Sequence, residues 1–444
     1  MKIAIIKLGA KGDVVRSLSI LVGIKEKYPD SEITWITKKE CRDIVNLAPQ
    51  ISKTIILPEE PLGKFDLTIN LDIEDEATSL IADMDSEKKL GFYNEGDFVQ
   101  AYNLGAEYYL NTLFDDETKK SNERTYQEIM FGVAEIPYNK QHNILHLSDK
   151  EREYGDDFIM GHNLSNKRLV GIHIGASSRW PSKVWHKENL IDFIKKASKD
   201  NYRILLLGGP NEVQDMEDIA NKLKIEGINI SFNDPHNTDL EFFSLVDSCD
   251  SIISGDTFAL HVALALNKPS IGLFFCTPPK EIESYNLLTK ITSPMLYDFF
   301  PEKMDQYSEE LTKSISSDQV LKELESLDKI TKVVTGIIRD NEKFLLIKRS
   351  EGLHKNKWAF PGGIVESSET AEQALRREIK EELGLNIRQI IKKIADYNYP
   401  REDDTLTKGE SYLIEVDKLD VVPNSEISEA RFFSLGEFEN LDHI

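Results

Sequence analysis

Short apolar runs alternate with amphipathic stretches along most of the chain. Lys2–Leu8, Glu32–Thr37, Ile55–Leu57 and Phe65–Asp72 carry the Ile/Leu-rich pattern of buried strands. After the first of these, Gly9 and Gly12 make a turn, and Asp13 opens a predicted helix running through Arg16, Leu18, Ile20 and Leu21. The rhythm returns with strands at Leu169–Ser177, Tyr202–Pro210, Ile228–Phe232, Asp250–Thr257 and Pro269–Phe275. Helices are predicted from about Lys187 and over Ala259–Asn267. Strands alternating with helices predict doubly wound sheets, and such sheets bind ligands beyond the carboxyl ends of their strands. A helix at Ser316–Leu327 and a boundary at Lys329–Lys332 precede a third pattern. There, Val333–Arg339 and Lys343–Arg349 form a hairpin around Asp340-Asn341 and lead to an amphipathic helix.

That last helix holds the sharpest chemical signal. Thr370 with Gln373 forms a capping box at its start, and Gly384 suits its end. Ala371, Ala374, Leu375, Ile379 and Leu383 make one apolar face, with Glu378 and Glu382 projecting among them, while Arg376 and Lys380 point away. Inward carboxylates are costly to desolvate, and like charges three and four residues apart repel. A divalent cation removes both costs. Mg²⁺ is the natural choice because it takes oxygen ligands and works beside phosphates.

The chain has 444 residues, enough for about three domains. Its formal charge of −23 argues against duplex nucleic acid or an anionic membrane surface as a general partner. Cys41, Cys249 and Cys276 are scattered without metal-ligand spacing, as suits a reducing cytosol. The first residues read as a strand, not a signal peptide, and no apolar run reaches membrane-spanning length. Cytoplasmic placement is expected, with peripheral contact at the inner membrane left open.

Within the doubly wound part, the turns at Gly175–Ser177, Gly208–Gly209 and Gly255–Thr257 are expected to converge on one rim, where helix N-termini can hold a diphosphate. Lys183 adds positive charge, and Asp256, Thr257 and His261 lie one helical turn apart across that rim. Taken singly, Asp13 also reads as a helix cap, His261 as a core histidine and Lys183 as a solvated lysine. The first turn is not G-x-G-x-x-G, so a nicotinamide cofactor is not indicated.

Two resemblances sharpen this reading. Gly363, Glu369, Arg377, Glu378, Ile379, Glu381, Glu382, Gly384 and Leu385 fill every fixed position of the Nudix box. The resemblance implies hydrolysis of a nucleoside diphosphate linked to another group. It implies that Glu378, Glu381 and Glu382 hold Mg²⁺ (or Mn²⁺) together with Gly363. It further implies that they prepare the attacking water, with Arg377 orienting the neighbouring glutamate. A further family carboxylate would be Glu415, at the end of the strand SYLIEV, where a merely solvated glutamate is the plain alternative. Separately, KLGAKGDVVRSL, FDLTINLD, KKLGF, GASSRWPSKVW, LLLGGPNE and GDTFALHVALAL resemble, in order, blocks of glycosyltransferase family 9, the ADP-heptose transferases.

That second resemblance implies a GT-B architecture of two Rossmann-like halves, followed by an α/β/α Nudix sandwich. The domains would be 1–160, an acceptor half; 161–328, a nucleotide-sugar donor half; and 329–444, the Nudix domain. Asp13 would activate an acceptor hydroxyl without a metal. Gly175, Lys183, Asp256, Thr257 and His261 would surround a donor such as ADP-heptose, and the acceptor would be a saccharide or a lipid-linked saccharide. Phe258 departs from the family, which usually has a small glycine after the Asp-Thr pair, and is expected to narrow the donor site or to change which sugar fits. It motivates an alternative in which the first part binds a nucleotide sugar without transferring it.

Overall fold

The computed structural model describes every residue except 59–62, 97, 165–166, 201, 329, 351–354, 367–368, 401–405, 439–440 and 442–444. Lys329 of the expected boundary therefore lies outside the described residues. The chain divides into two compact units, Met1–Glu323 and Leu324–Ile444.

The first unit contains two six-stranded sheets. Strands β1 (Lys2–Ile6), β2 (Glu32–Thr37), β3 (Lys53–Ile56), β4 (Lys64–Asn70), β5 (Asp85–Glu95) and β6 (Phe98–Ala101) order as β3-β2-β1-β4-β5-β6. All neighbours are parallel except the β5–β6 hairpin. The second sheet comprises β7 (Arg168–His173), β8 (Tyr202–Leu207), β9 (Ser231–Phe232), β10 (Ser251–Gly255), β11 (Ser270–Phe274) and β12 (Leu288–Thr292). It is parallel throughout, in the order β12-β11-β10-β7-β8-β9. Both are Rossmann-like, and the strongest apolar runs in the sequence lie at the centre of each sheet because those strands are buried on both faces.

Four helices of this unit carry or border the polar centre between the sheets: α1 (Lys11–Ser17), α2 (Tyr126–Val133), α3 (Asp239–Asp247) and α4 (Phe258–Ala265). α4 is buried on almost every side, which accounts for its wholly apolar sequence around His261. One hydrophobic cluster joins the halves, with Val14, Val15 and Leu18 beside α1 in the same cluster as Val262 and Ala263 of α4 and Leu245 of α3.

In the second unit, β13 (Ile330–Asp340), β14 (Lys343–Arg349), β15 (Trp358–Ala359), β17 (Ile387–Pro400) and β18 (Leu406–Val416) form a mixed sheet ordered β15-β14-β13-β18-β17. β16 (Gly362–Ile364) joins β13, and β19 (Ile427–Ser434) joins β14. Helix α5 (Ala371–Leu383) lays Leu375, Ile379 and Leu383 on Val334, Ile338, Tyr412 and Ile414 of one face. On the other face, Leu346, Trp358 and Phe433 pack with Phe438 of the short helix Leu435–Phe438. Both ends of α5 agree with the sequence pattern. The Thr370–Gln373 capping box is formed, and Gly384 takes the left-handed conformation at φ 65°.

The helix Leu104–Phe114 crosses α2 so closely that a Cβ on Gly105 would overlap the Gly132 carbonyl. A backbone obstacle cannot swing aside as a side-chain end can. Gly105→Ala is expected to destabilise the first unit by about 1–3 kcal/mol, read as a lower midpoint in urea denaturation of the full chain.

Candidate active sites

The first site grows from the turn after β1. Lys7 is buried, and its Nζ lies 3.1 Å from Asp72 Oδ2. The same oxygen accepts from the Leu8 and Gly9 amides at 3.1 and 3.4 Å, which fixes the turn that launches α1. α1 begins at Lys11, so Asp13 is its third residue and not its cap. Its carboxylate instead accepts from Arg16 Nε at 3.1 Å and Nη2 at 2.6 Å. The Arg16 guanidinium lies 3.7 Å over the Tyr126 ring of α2. Burial alone pushes the Asp13 carboxyl up, but Arg16 and then Lys7 outweigh it and hold it below the usual carboxylate range.

Gly12 brings the second half into this site. A Cβ there would sit 3.1 Å from His261 Cδ2, so α1 and α4 cross with little to spare. At the start of α4, Asp256 accepts from Lys183 Nζ at 2.7 Å, and its other oxygen is 3.6 Å from His261 Nε2. Against its burial, Lys183, His261 and Arg16 keep Asp256 ionised. His261 is driven down to about 4 by burial and then by Arg16, so at neutral pH it is a neutral hydrogen-bonding group beside Asp256. Asp13, Lys183, Asp256 and His261, far apart in sequence, thus meet where α1 crosses α4.

The other expected donor residues are placed differently. Thr257 is held by its own hydroxyl contacts, 2.9 Å from Ser254 Oγ and 3.2 Å from His173 Nδ1. Gly175 lies against Glu212, where a Cβ would stand 2.8 Å from the carboxyl carbon. The Gly209 amide, expected to face a diphosphate, donates to Glu212 Oε2 at 2.9 Å, and Gly208 donates to Asn233 Oδ1 at 2.9 Å. These amides are therefore already bonded to side chains. The Phe258 ring stacks on Phe242 of α3 with centroids 5.9 Å apart and packs beside Phe243.

Sequence reasoning misses the roles of Lys7, Arg16, Tyr126, Glu212 and Glu281. Glu281 lies beyond β11, and its charge neighbours are Arg16, Asp256 and Lys183. Burial leads and raises its pKa. Lys7, Tyr126 and Glu281 find their charge partners far away in the chain, whereas Arg16 and Glu212 bond to Asp13 and Gly209 three residues away.

The second site sits at the inner face of α5. Glu382 is 2% exposed; it accepts from the Gly362 amide at 2.8 Å and lies 3.5 Å from Arg349. Gly362 holds φ at 143°, which a side chain would disfavour, and so aims that amide at the carboxylate. Burial raises Glu382 to about 7, against the pull of Arg349. Arg377 gathers the neighbouring carboxylates, donating to Glu369 at 2.5 Å, Glu378 at 2.8 Å and Glu381 at 3.2 Å. Glu378 is also raised by burial, with Arg377 opposing.

Because Glu378 and Glu381 are turned toward Arg377, no three acidic, His or Cys groups among the described residues stand together as a metal cage. The donor set still fits a hard cation. Four carboxylates face two guanidiniums, and a Cβ on Gly363 would overlap the Glu378 carboxyl, so only glycine lets that carboxylate lie against the backbone. Glu415 is not brought to this site. Tyr412, Ile414 and Val416 of β18 face α5, and the period of two turns the exposed Glu415 to the opposite face.

Comparison with known proteins matches both parts. The model of glycosyltransferase family 9 (heptosyltransferase) matches residues 63–309, and that of the NUDIX domain matches residues 329–444. The chain is 26% identical over 295 residues to lipopolysaccharide heptosyltransferase 1 of Campylobacter coli, covering 63% of this chain and 85% of that protein. It is 37% identical over 116 residues to an ADP-ribose pyrophosphatase of Methanocaldococcus jannaschii, covering 25% of this chain and 66% of that protein. A glycosyltransferase family 9 structure from Veillonella parvula has the same fold, with a TM-score of 0.59 at 17% identity over 73% of this chain and 96% of its own.

His261 and His173 are both held near 4 by burial, from an ordinary 6.5. Between those values the unfolded chain binds more protons than the folded one. Stability is therefore fully present above about pH 6.5 and falls as pH drops through the window. Urea midpoints at about pH 7 and about pH 5 should differ in that direction, and His261→Gln should make the difference smaller.

Proposed function

The chain belongs to glycosyltransferase family 9 and ends in a Nudix domain, and from that premise we propose a bifunctional enzyme. Its first unit transfers a sugar, a heptose by family resemblance, from an ADP-linked donor to a saccharide or lipid-linked saccharide. Its second unit hydrolyses a nucleoside diphosphate-linked compound with Mg²⁺. The observation that carries the transfer reading is the meeting of Asp13 with Lys183, Asp256 and His261 at the α1–α4 crossing.

Asp13, kept ionised by Arg16 and Lys7, accepts the acceptor's proton as the new glycosidic bond forms. Lys183 turns from Asp256 toward the leaving diphosphate and offsets its charge. Neutral His261 donates or accepts a hydrogen bond without adding charge. Phe258 is the ground for a purely binding first unit, and its stacking on α3 weakens that ground.

In the second unit, Glu378, Glu381 and Glu382 would hold the cation, with Gly363 leaving room for Glu378. When bound, the cation polarises phosphoryl oxygens and acidifies water. Arg377 orients Glu378 and Glu381. The relative named an ADP-ribose pyrophosphatase points to ADP-sugars as the substrate class, which would give both units related substrates.

The two reactions leave different products. Glycosyl transfer releases ADP, whereas pyrophosphate cleavage releases AMP and a sugar phosphate. With ADP-heptose, Mg²⁺ and a panel of saccharide acceptors, Asp13→Asn should lower ADP release by about 10²–10⁴-fold and spare AMP release. Glu382→Gln should do the reverse. AMP release by wild type from other ADP-sugars but not from ADP-heptose would reject the related-substrate reading. Chelation by EDTA should abolish AMP release and leave acceptor-dependent ADP release intact.

A further inference from the structure

A cavity of about 20 Å³ lies where α1, α2 and α4 meet the segment 134–148 that links the two halves; Arg16, Ser19, Gln127, Asn143, His261 and Tyr285 line it. A space of that size admits one water and no sugar. Its walls are unusually polar for such depth. Gln127 and Asn143 are 4% and 6% exposed, yet Gln127 Oε1 and Asn143 Nδ2 have no hydrogen-bond partner among the described residues. One is an acceptor and the other a donor. Buried polar groups left in this way are rare and costly, and water can satisfy both at once.

Arg16 connects the cavity to the chemistry. It directs Nε and Nη2 at Asp13 and lays its plane over Tyr126, while its Nη1 makes no hydrogen bond among the described residues. We propose that a single ordered water is built into this cavity, donating to Gln127 Oε1 and accepting from Asn143 Nδ2 and Arg16 Nη1. Gln127 and Asn143 are then positioning residues. Through the water they fix the guanidinium that holds Asp13. Gln50 steadies the arrangement by donating to Asn143 Oδ1 at 3.0 Å, which leaves Asn143 Nδ2 for the water.

The structural arm stands apart from the transfer reading; the kinetic arm rests on it. A crystal structure of the full chain that resolves ordered water should show density within about 3.2 Å of both amide atoms. Amides turned onto protein partners, with no water density between them, would overturn the site. In the kinetic arm, Gln127→Met and Asn143→Leu should each lower kcat for acceptor-dependent ADP release by about tenfold, with donor KM and AMP release unchanged. Wild-type kcat in both variants, even with a lowered melting temperature, would overturn the positioning role. Absence of any transfer by wild type would instead count against the functional reading and leave the diffraction result to decide the water.

Discussion

The close crossing of α1 and α4 at Gly12 is the constraint from which the transfer site arises. It allows the Asp13 carboxylate of the first half to stand beside an ion pair borne by the second. Such proximity concentrates charge, and charge inside a protein needs a partner. The site meets that demand group by group: Lys7 with Asp72, Arg16 with Asp13, Lys183 with Asp256. A chain with a formal charge of −23 thus keeps a locally balanced centre. Balance is what allows Asp13 and Asp256 to remain ionised in a setting where burial alone would protonate them.

The hydrolase site is arranged on the opposite principle. Arg377 serves Glu369, Glu378 and Glu381 together, and Arg349 approaches Glu382 only to 3.5 Å. Negative charge is left over. Burial raises the pKa of Glu378 and Glu382, and neighbouring carboxylates add to the shift. A carboxylate that resists ionisation by itself ionises beside a divalent cation, so a cation held by Glu382 would displace its proton.

Local features are legible in the sequence, and tertiary ones are hidden. The α5 helix, its capping box, its Gly384 terminus and the inward set of Glu378 and Glu382 all come from 3.6-residue periodicity and end chemistry, which act within a few residues. The parallel strands are legible because burial on both faces makes them apolar throughout. The errors share a cause. Asp13 reads as the opening of its helix, but α1 starts two residues earlier, at Lys11, and the carboxylate finds Arg16. Glu415 falls on the wrong face by one position in a strand. Lys7, Tyr126 and Glu281 carry no local signal, since their partners are distant in the chain.

The contrast between the two sites bears on which bond each can break in an ADP-sugar. A diphosphate entering the balanced site meets Lys183, whose present partner is a single carboxylate, and exchange of one anion for another costs little net charge. In the proposed transfer, Lys183 would offset the charge that develops on the leaving diphosphate. A diphosphate approaching Glu378, Glu381 and Glu382 meets like charge, and no cation of the protein is free of carboxylates there among the described residues. Glu378, Glu381 and Glu382 would hold an added cation there, and its charge would offset that repulsion and polarise phosphoryl oxygens. The two sites thus differ in how many carboxylates each guanidinium or ammonium must serve.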